Sequence, residues 1–135
     1  MEDATTKKIL IVDDDASILD LYSEILSSEG FKVSTASNVD EALQKAEGEM
    51  FDLVLLDIML GDGLPSGIEC LKIMKSNPEK YKRPIIVMLT NLAVTNNVKE
   101  AFDNGADGYL IKLTLSTDQI PAKVRGFLNG FASNK

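Results

Sequence analysis

Five short apolar runs, each followed by a longer amphipathic or turn-forming stretch, constrain this chain more than any other feature. They are Ile9-Leu10-Ile11-Val12, Phe31-Lys32-Val33-Ser34-Thr35, Leu53-Val54-Leu55-Leu56, Ile85-Ile86-Val87-Met88-Leu89 and Tyr109-Leu110-Ile111. Four of the five lack polar alternation, as strands buried on both faces of a parallel sheet do; the run at 31–35 alternates, which suits an edge strand. The spacing predicts a first helix with Ile18, Leu21, Tyr22 and Ile25 on its core stripe, closed by Gly30. A second runs from about Val39 to Gly48 behind Asn38 as N-cap, and a third carries Ile68, Leu71 and Met74 and stops before Asn77-Pro78. A fourth spans about 93 to 104, stopped by Gly105, and a fifth repeats Ile120, Val124, Phe127 and Phe131. Strand and helix alternating five times require right-handed crossovers and helices on both faces, an α/β doubly wound (βα)5 sheet. With 135 residues the expectation is one domain, residues 7–131, between tails at 1–6 and 132–135.

Composition removes several functions. A formal net charge of −7 repels nucleic-acid phosphates. The chain has no histidine, so it has no imidazole base, ligand or phosphohistidine of its own. Its one cysteine, Cys70, cannot form an internal disulfide and suits a reducing compartment. No apolar run approaches the ~20 residues of a membrane span, and residues 1–6 lack the apolar core of a signal peptide. These features predict a cytoplasmic protein acting on neither membrane nor nucleic acid.

In open sheets of this kind, ligands sit beyond the carboxyl ends of the strands at the topological switch point. The residues that follow the apolar runs therefore carry the function: Asp13-Asp14-Asp15, Asp57, Thr90 and Lys112. Singly, each is an ordinary cap, turn or loop residue. Four polar groups from distant parts of the chain converging on one rim are a different matter. Crowded carboxylates need a cation, and oxygen-only ligands suit Mg²⁺. Asp13, Asp14 and Asp57 supply three negative charges; Mg²⁺ and Lys112 would supply three positive ones and leave the rim able to admit an anionic phosphoryl group. A carboxylate is a competent phosphoryl acceptor, and a metal, a lysine and a hydroxyl are the parts that stabilise the transfer.

The stretches Lys8-Ile9-Leu10-Ile11-Val12-Asp13-Asp14-Asp15, Leu53-Val54-Leu55-Leu56-Asp57-Ile58-Met59-Leu60, Val87-Met88-Leu89-Thr90 and Gly105-Ala106-Asp107-Gly108-Tyr109-Leu110-Ile111-Lys112 resemble the response-regulator receiver domain over essentially the whole chain. The resemblance implies a flavodoxin-like sheet of order 2-1-3-4-5, with Asp57 as phosphoacceptor. It implies Mg²⁺ (Mn²⁺ as substitute) held directly by Asp14 and Asp57, through water by Asp13, and by the backbone carbonyl of Met59. Thr90 would hydrogen-bond the phosphoryl group, Lys112 would pair with it, and Tyr109 would be the switch aromatic that follows Thr90 inward. The donor would be a sensor histidine kinase or histidine phosphotransfer protein, docking beside the first helix at Asp15 and an exposed Leu19. The output would be a downstream protein target, reached as a monomer or a phosphorylation-dependent dimer, and no chemistry beyond the protein's own phosphorylation and slow dephosphorylation is implied.

Three departures from the family pattern stand out. Leu113 follows Lys112 where the family usually has proline; the family's D-x-x-M-P-x-x-x-G becomes Asp57-Ile58-Met59-Leu60-Gly61-Asp62-Gly63-Leu64-Pro65-Ser66-Gly67, two residues longer with its proline displaced; and Asn91 follows Thr90 where the family has a very small residue. By the same resemblance, Met59 and Leu92 would flank the path of attacking water; both are apolar, which predicts a long-lived phosphoryl group. Rival readings are a haloacid-dehalogenase-type phosphatase using Asp13-Asp14-Asp15, a flavin-binding flavodoxin relative, and a receiver-like interaction module that is never phosphorylated. The first leaves Asp57 unexplained, and the second needs phosphate-binding donors where this chain has three carboxylates.

Overall fold

A computed structural model of the chain describes residues 6–60, 66–90, 96–112 and 117–133. The apolar runs form β1 (Lys8–Val12), β2 (Lys32–Ala36), β3 (Leu53–Asp57), β4 (Ile85–Thr90) and β5 (Gly108–Ile111). All pair in parallel, in the order β2-β1-β3-β4-β5. This is the five-stranded flavodoxin-like sheet that the alternation and the resemblance predicted. The alternating segment is indeed at an edge, with Lys32 exposed and the next three residues half-buried.

The helices are α1 (Ala16–Ser28), α2 (Val39–Gly48), α3 (Ser66–Ser76), α4 (Pro78–Tyr81), α5 (Asn96–Asp103) and α6 (Gln119–Ser133). Strand side chains divide by parity between two cores. Leu10, Val12, Val54, Leu56, Ile86 and Met88 meet α2, α3 and α5 on one face. Ile9, Ile11, Leu53, Leu55, Val87, Leu89 and Leu110 meet α1 and α6 on the other. Burying both faces accounts for the unbroken apolar character of the central strands.

Local chemistry sets the helix ends. Asn38 accepts the Glu41 amide at 2.8 Å while the Glu41 carboxylate reaches back to the Ser37 amide at 2.7 Å, a reciprocal N-terminal cap on α2. Gly30, just past α1, takes a φ of 96°, which glycine adopts without steric cost.

Asn77-Pro78 ends α3 as predicted, but the chain then resumes as a single helical turn, α4, because proline is tolerated at the first helical position; Tyr81 is buried behind it. The core stripe of α1 is also rotated from its expected line. Tyr22 and Leu26 are buried, Ile18, Leu19 and Ile25 flank them half-buried, and Leu21 is 43% exposed. At about 100° per residue, Leu21 projects off a stripe centred on Tyr22, whereas Leu19 falls within about 60° of it. The Phe131 side chain and the N-terminal part of the predicted fourth helix lie outside the described residues.

Candidate functional site

The order β2-β1-β3 reverses direction at the β1–β3 boundary, where the chain leaves the two strands toward helices on opposite faces and opens a crevice. Ile9 pairs with Leu53 and Ile11 with Leu55, so one further step in register sets Asp13 beside Asp57 at that point. Lys112 follows Leu110 by the same parity and comes over the same face. The Asp13 backbone amide donates to Ala36 carbonyl at 3.1 Å, and that of Ile58 donates to Leu89 carbonyl at 3.0 Å, which fixes both strand exits.

The charged groups interlock. Lys112 Nζ lies 2.8 Å from Asp13 Oδ2 and 3.4 Å from Asp57 Oδ2, with the lysine side chain 9% exposed and that of Asp13 fully buried. The other oxygen of Asp13 accepts the Asp15 amide at 2.9 Å. Asp57 Oδ1 accepts the Met59 amide at 3.3 Å, which brings Met59 to the rim. Asp14 is exposed, and ligand oxygens of Asp13, Asp14 and Asp57 lie within 4.8 Å of one another.

Electrostatics follow from this crowding. Burial and then the neighbouring charge of Asp13 push the Asp57 carboxyl from 3.8 up to about 7, against the opposing pull of Lys112. Burial disfavours the Lys112 ammonium, yet its hydrogen bond to Asp13 and the charges of Asp57 and Asp13 hold its pKa above the usual 10.5. Three carboxylates against one ammonium leave an excess of two negative charges, and the donors are all oxygen. The set fits a divalent cation.

Gly67, at the start of α3, is part of the same construction. Its amide donates to Ile58 carbonyl at 2.9 Å, and a Cβ there would stand 1.9 Å from the Asp57 carbonyl oxygen. Only glycine lets α3 approach the acceptor's own backbone so closely.

Thr90 ends β4, buried, on the opposite parity to Asp57. Tyr109 pairs with Met88 in register and so shares a face with Thr90, the face covered by α5. The tyrosine is 37% exposed. Asp15, read from the sequence as a partner contact, is exposed and also caps α1, its carboxylate accepting the Ser17 amide at 2.9 Å. Leu19 is half-buried against the α1–α6 core, contrary to the expected exposure, because it lies on the inner side of α1. Asn91, Leu92, Leu113 and the loop 61–65 lie outside the described residues.

Comparison with known proteins agrees with this geometry. The family model described as the response regulator receiver domain matches residues 9–125. The alkaline phosphatase synthesis transcriptional regulatory protein PhoP of Bacillus subtilis is 38% identical over 122 residues, covering 90% of this chain and 48% of that protein. Among solved structures, a CheY-like response regulator receiver domain protein from Methanospirillum hungatei superposes with a TM-score of 0.83 at 34% identity, covering 97% of this chain and all of the other. A Burkholderia pseudomallei response regulator solved with a phosphorylated aspartic acid and a calcium ion has a TM-score of 0.76 at 26% identity, covering 95% of this chain and 72% of the other. The chain belongs to the response regulator receiver domain family, and its clustered carboxylates form the site of a phosphoryl-accepting receiver. It spans about half the length of the curated relatives it matches. Among the described residues, no helix is long and apolar enough to cross a membrane.

Proposed function

We infer that the chain accepts a phosphoryl group on Asp57 from the phosphohistidine of a sensor kinase or histidine phosphotransfer protein, with Mg²⁺ as the physiological cation and Mn²⁺ as a substitute. The observation that carries this reading is the position of Asp57. It sits at the β1–β3 switch point, within 4.8 Å of two further carboxylates and 3.4 Å from an ammonium. The phosphorylated aspartic acid in the Burkholderia pseudomallei relative supports it.

In the transfer, the donor's N–P bond breaks as an O–P bond to Asp57 forms, and the departing imidazole takes up a proton. A cation held by Asp14, Asp57, the Met59 carbonyl and, through water, Asp13 would offset charge on the phosphoryl oxygens. Lys112 already stands between Asp13 and Asp57 and needs only a small shift to pair with an incoming oxygen. The Asp15 amide and Lys112 occupy both oxygens of Asp13, which suits a water-mediated rather than a direct metal ligand. Thr90 supplies a hydroxyl donor, and its displacement toward the phosphoryl group leaves room for Tyr109 to turn inward. Loss of the phosphoryl group requires water to attack phosphorus, restoring the carboxylate and releasing inorganic phosphate. Met59 and Leu92 are apolar and cannot orient that water, so the phosphorylated state persists until a partner removes it. The receiver occupies residues 7–131, works in the cytoplasm, and presents the altered α5–β5–α6 face to a downstream protein.

Incubation with acetyl phosphate and Mg²⁺, followed by intact-mass measurement, tests the reading. The expected result is one added phosphoryl group, lost when a chelator is present or when Asp57 is replaced by Asn. An unmodified protein would favour the alternative of an interaction module that is never phosphorylated.

A further inference from the structure

The register of β4 and β5 leaves Tyr109 on the α5 face of the sheet edge, and one ring meets it there. Phe102, in the last turn of α5, lies with its centroid 5.9 Å from that of Tyr109 at an interplanar angle of 85°. This edge-to-face arrangement sets the positive rim of one ring against the negative face of the other. Both rings stand at the surface, Phe102 43% and Tyr109 37% exposed. Tyr109 is therefore directed outward, and Phe102 covers part of it.

The turn that carries Phe102 is firmly tied to the rest of the fold. Gly105 and Ala106 donate to the carbonyls of Phe102 and Ala101 at 3.0 Å each; the Asp107 amide donates to the Ile86 carbonyl at 2.8 Å, and the Asp107 carboxylate accepts the Ile86 amide at 2.8 Å. Lys75 of α3 pairs with the same carboxylate at 3.2 Å, and Lys72 pairs with Glu100, two residues before Phe102, at 3.5 Å. The backbone on either side of Phe102 is thus held in place. A Tyr109 ring that turns toward Thr90 has to leave the Phe102 ring.

We propose that Phe102 is an autoinhibitory clasp: its ring holds Tyr109 outward in the unphosphorylated protein and sets how far the resting equilibrium lies from the switched state. The proposal rests on the reading of Tyr109 as the switch residue. Ring pairs of this geometry contribute enough to shift a two-state equilibrium by about 2- to 10-fold. Release of the clasp therefore raises the switched population by that factor without touching Asp57, Thr90 or Lys112.

The test uses Phe102→Leu, which keeps apolar bulk and helix propensity, and Phe102→Tyr, which keeps the ring. Beryllofluoride with Mg²⁺ is titrated into each protein while the Tyr109 ring signals are followed by NMR, after thermal melting has shown that the variants are folded. The clasp predicts that Phe102→Leu binds beryllofluoride about 2- to 10-fold more tightly, that Phe102→Tyr behaves as wild type, and that Phe102→Leu has no effect in a Tyr109→Ala background. Wild-type Tyr109 signals that stay still on saturation would overturn the switch reading itself, and the clasp with it. Moving Tyr109 signals combined with unchanged affinity in folded Phe102→Leu would overturn the clasp alone.

Discussion

Asp57→Asn should stabilise the metal-free protein, even though it removes the residue on which function depends. Burial and Asp13 raise the Asp57 carboxyl from 3.8 to about 7, so above neutral pH the fold holds an ionised group in a place that favours the neutral form. At 1.36 kcal/mol per pKa unit the ceiling on this cost is about 4 kcal/mol, and relaxation of the protein around a buried charge, which behaves as an effective dielectric of about 20, brings it to about 2 kcal/mol. For a domain of this length that corresponds to about 7 °C in Tm. Asn keeps an oxygen to accept the Met59 amide and carries no charge. Because the folded pKa lies above the unfolded one, wild-type Asp57 contributes stability below about pH 4 and loses it as pH rises through about 7. The advantage of Asp57→Asn should therefore be full at about pH 8 and fade toward about pH 4. Saturating Mg²⁺ should narrow or reverse it, because the cation binds the native wild type and the variant has lost a ligand. Calorimetric melting of both proteins in chelator across this pH range provides the check. A lower Tm for Asp57→Asn at the alkaline end, or an advantage independent of pH, would refute the reasoning and mean that hydrogen bonds satisfy Asp57 better than its charge is penalised.

Gly67→Ala should cost about 2–4 kcal/mol in denaturant unfolding and depress phosphorylation, since its Cβ has to displace the Asp57 backbone; an alanine variant of unchanged stability would show that α3 can shift freely. Lys112→Met should slow phosphorylation by acetyl phosphate by about 100-fold or more, the usual effect of removing one preorganised charge from a transferring group, and a loss below about threefold would exclude Lys112 from the chemistry. Met59→Asn should shorten the lifetime of the phosphorylated protein, measured as decay of the mass adduct after donor removal; unchanged decay would mean that the side chain beside Asp57 does not govern water access.

The strands were legible because burial on both faces leaves no room for polar residues, and the site was legible because parallel strands deliver their ends to one rim. Parity then explains what a list of strand-end residues does not: Asp13, Asp57 and Lys112 share one face, while Thr90 and Tyr109 share the other. The sequence was less informative where one residue serves two purposes. Asp15 reads as a partner contact, yet it also caps α1 and its amide holds Asp13. Leu19 and Leu21 differ by only two positions, and which of them faces inward depends on how α1 and α6 pack together. Pro78 stops one helix and starts another, a choice made by the burial of Tyr81. Gly67 belongs to the family motif, but the reason for it is a backbone approach that no pattern of residue types reveals. The pairing of Phe102 with Tyr109 needs α5 and β5 in register before it exists.

Locating the phosphoryl group tests directly whether Asp57 is the acceptor. Protein phosphorylated in the presence of Mg²⁺ is reduced with borohydride, which converts an aspartyl phosphate to homoserine, and is then sequenced by peptide mass spectrometry. Homoserine is expected at position 57 alone, dependent on the metal and absent from Asp57→Asn. Homoserine at position 13 or 14, or a phosphoryl adduct that persists undiminished in Asp57→Asn, would contradict the assignment of Asp57 as acceptor.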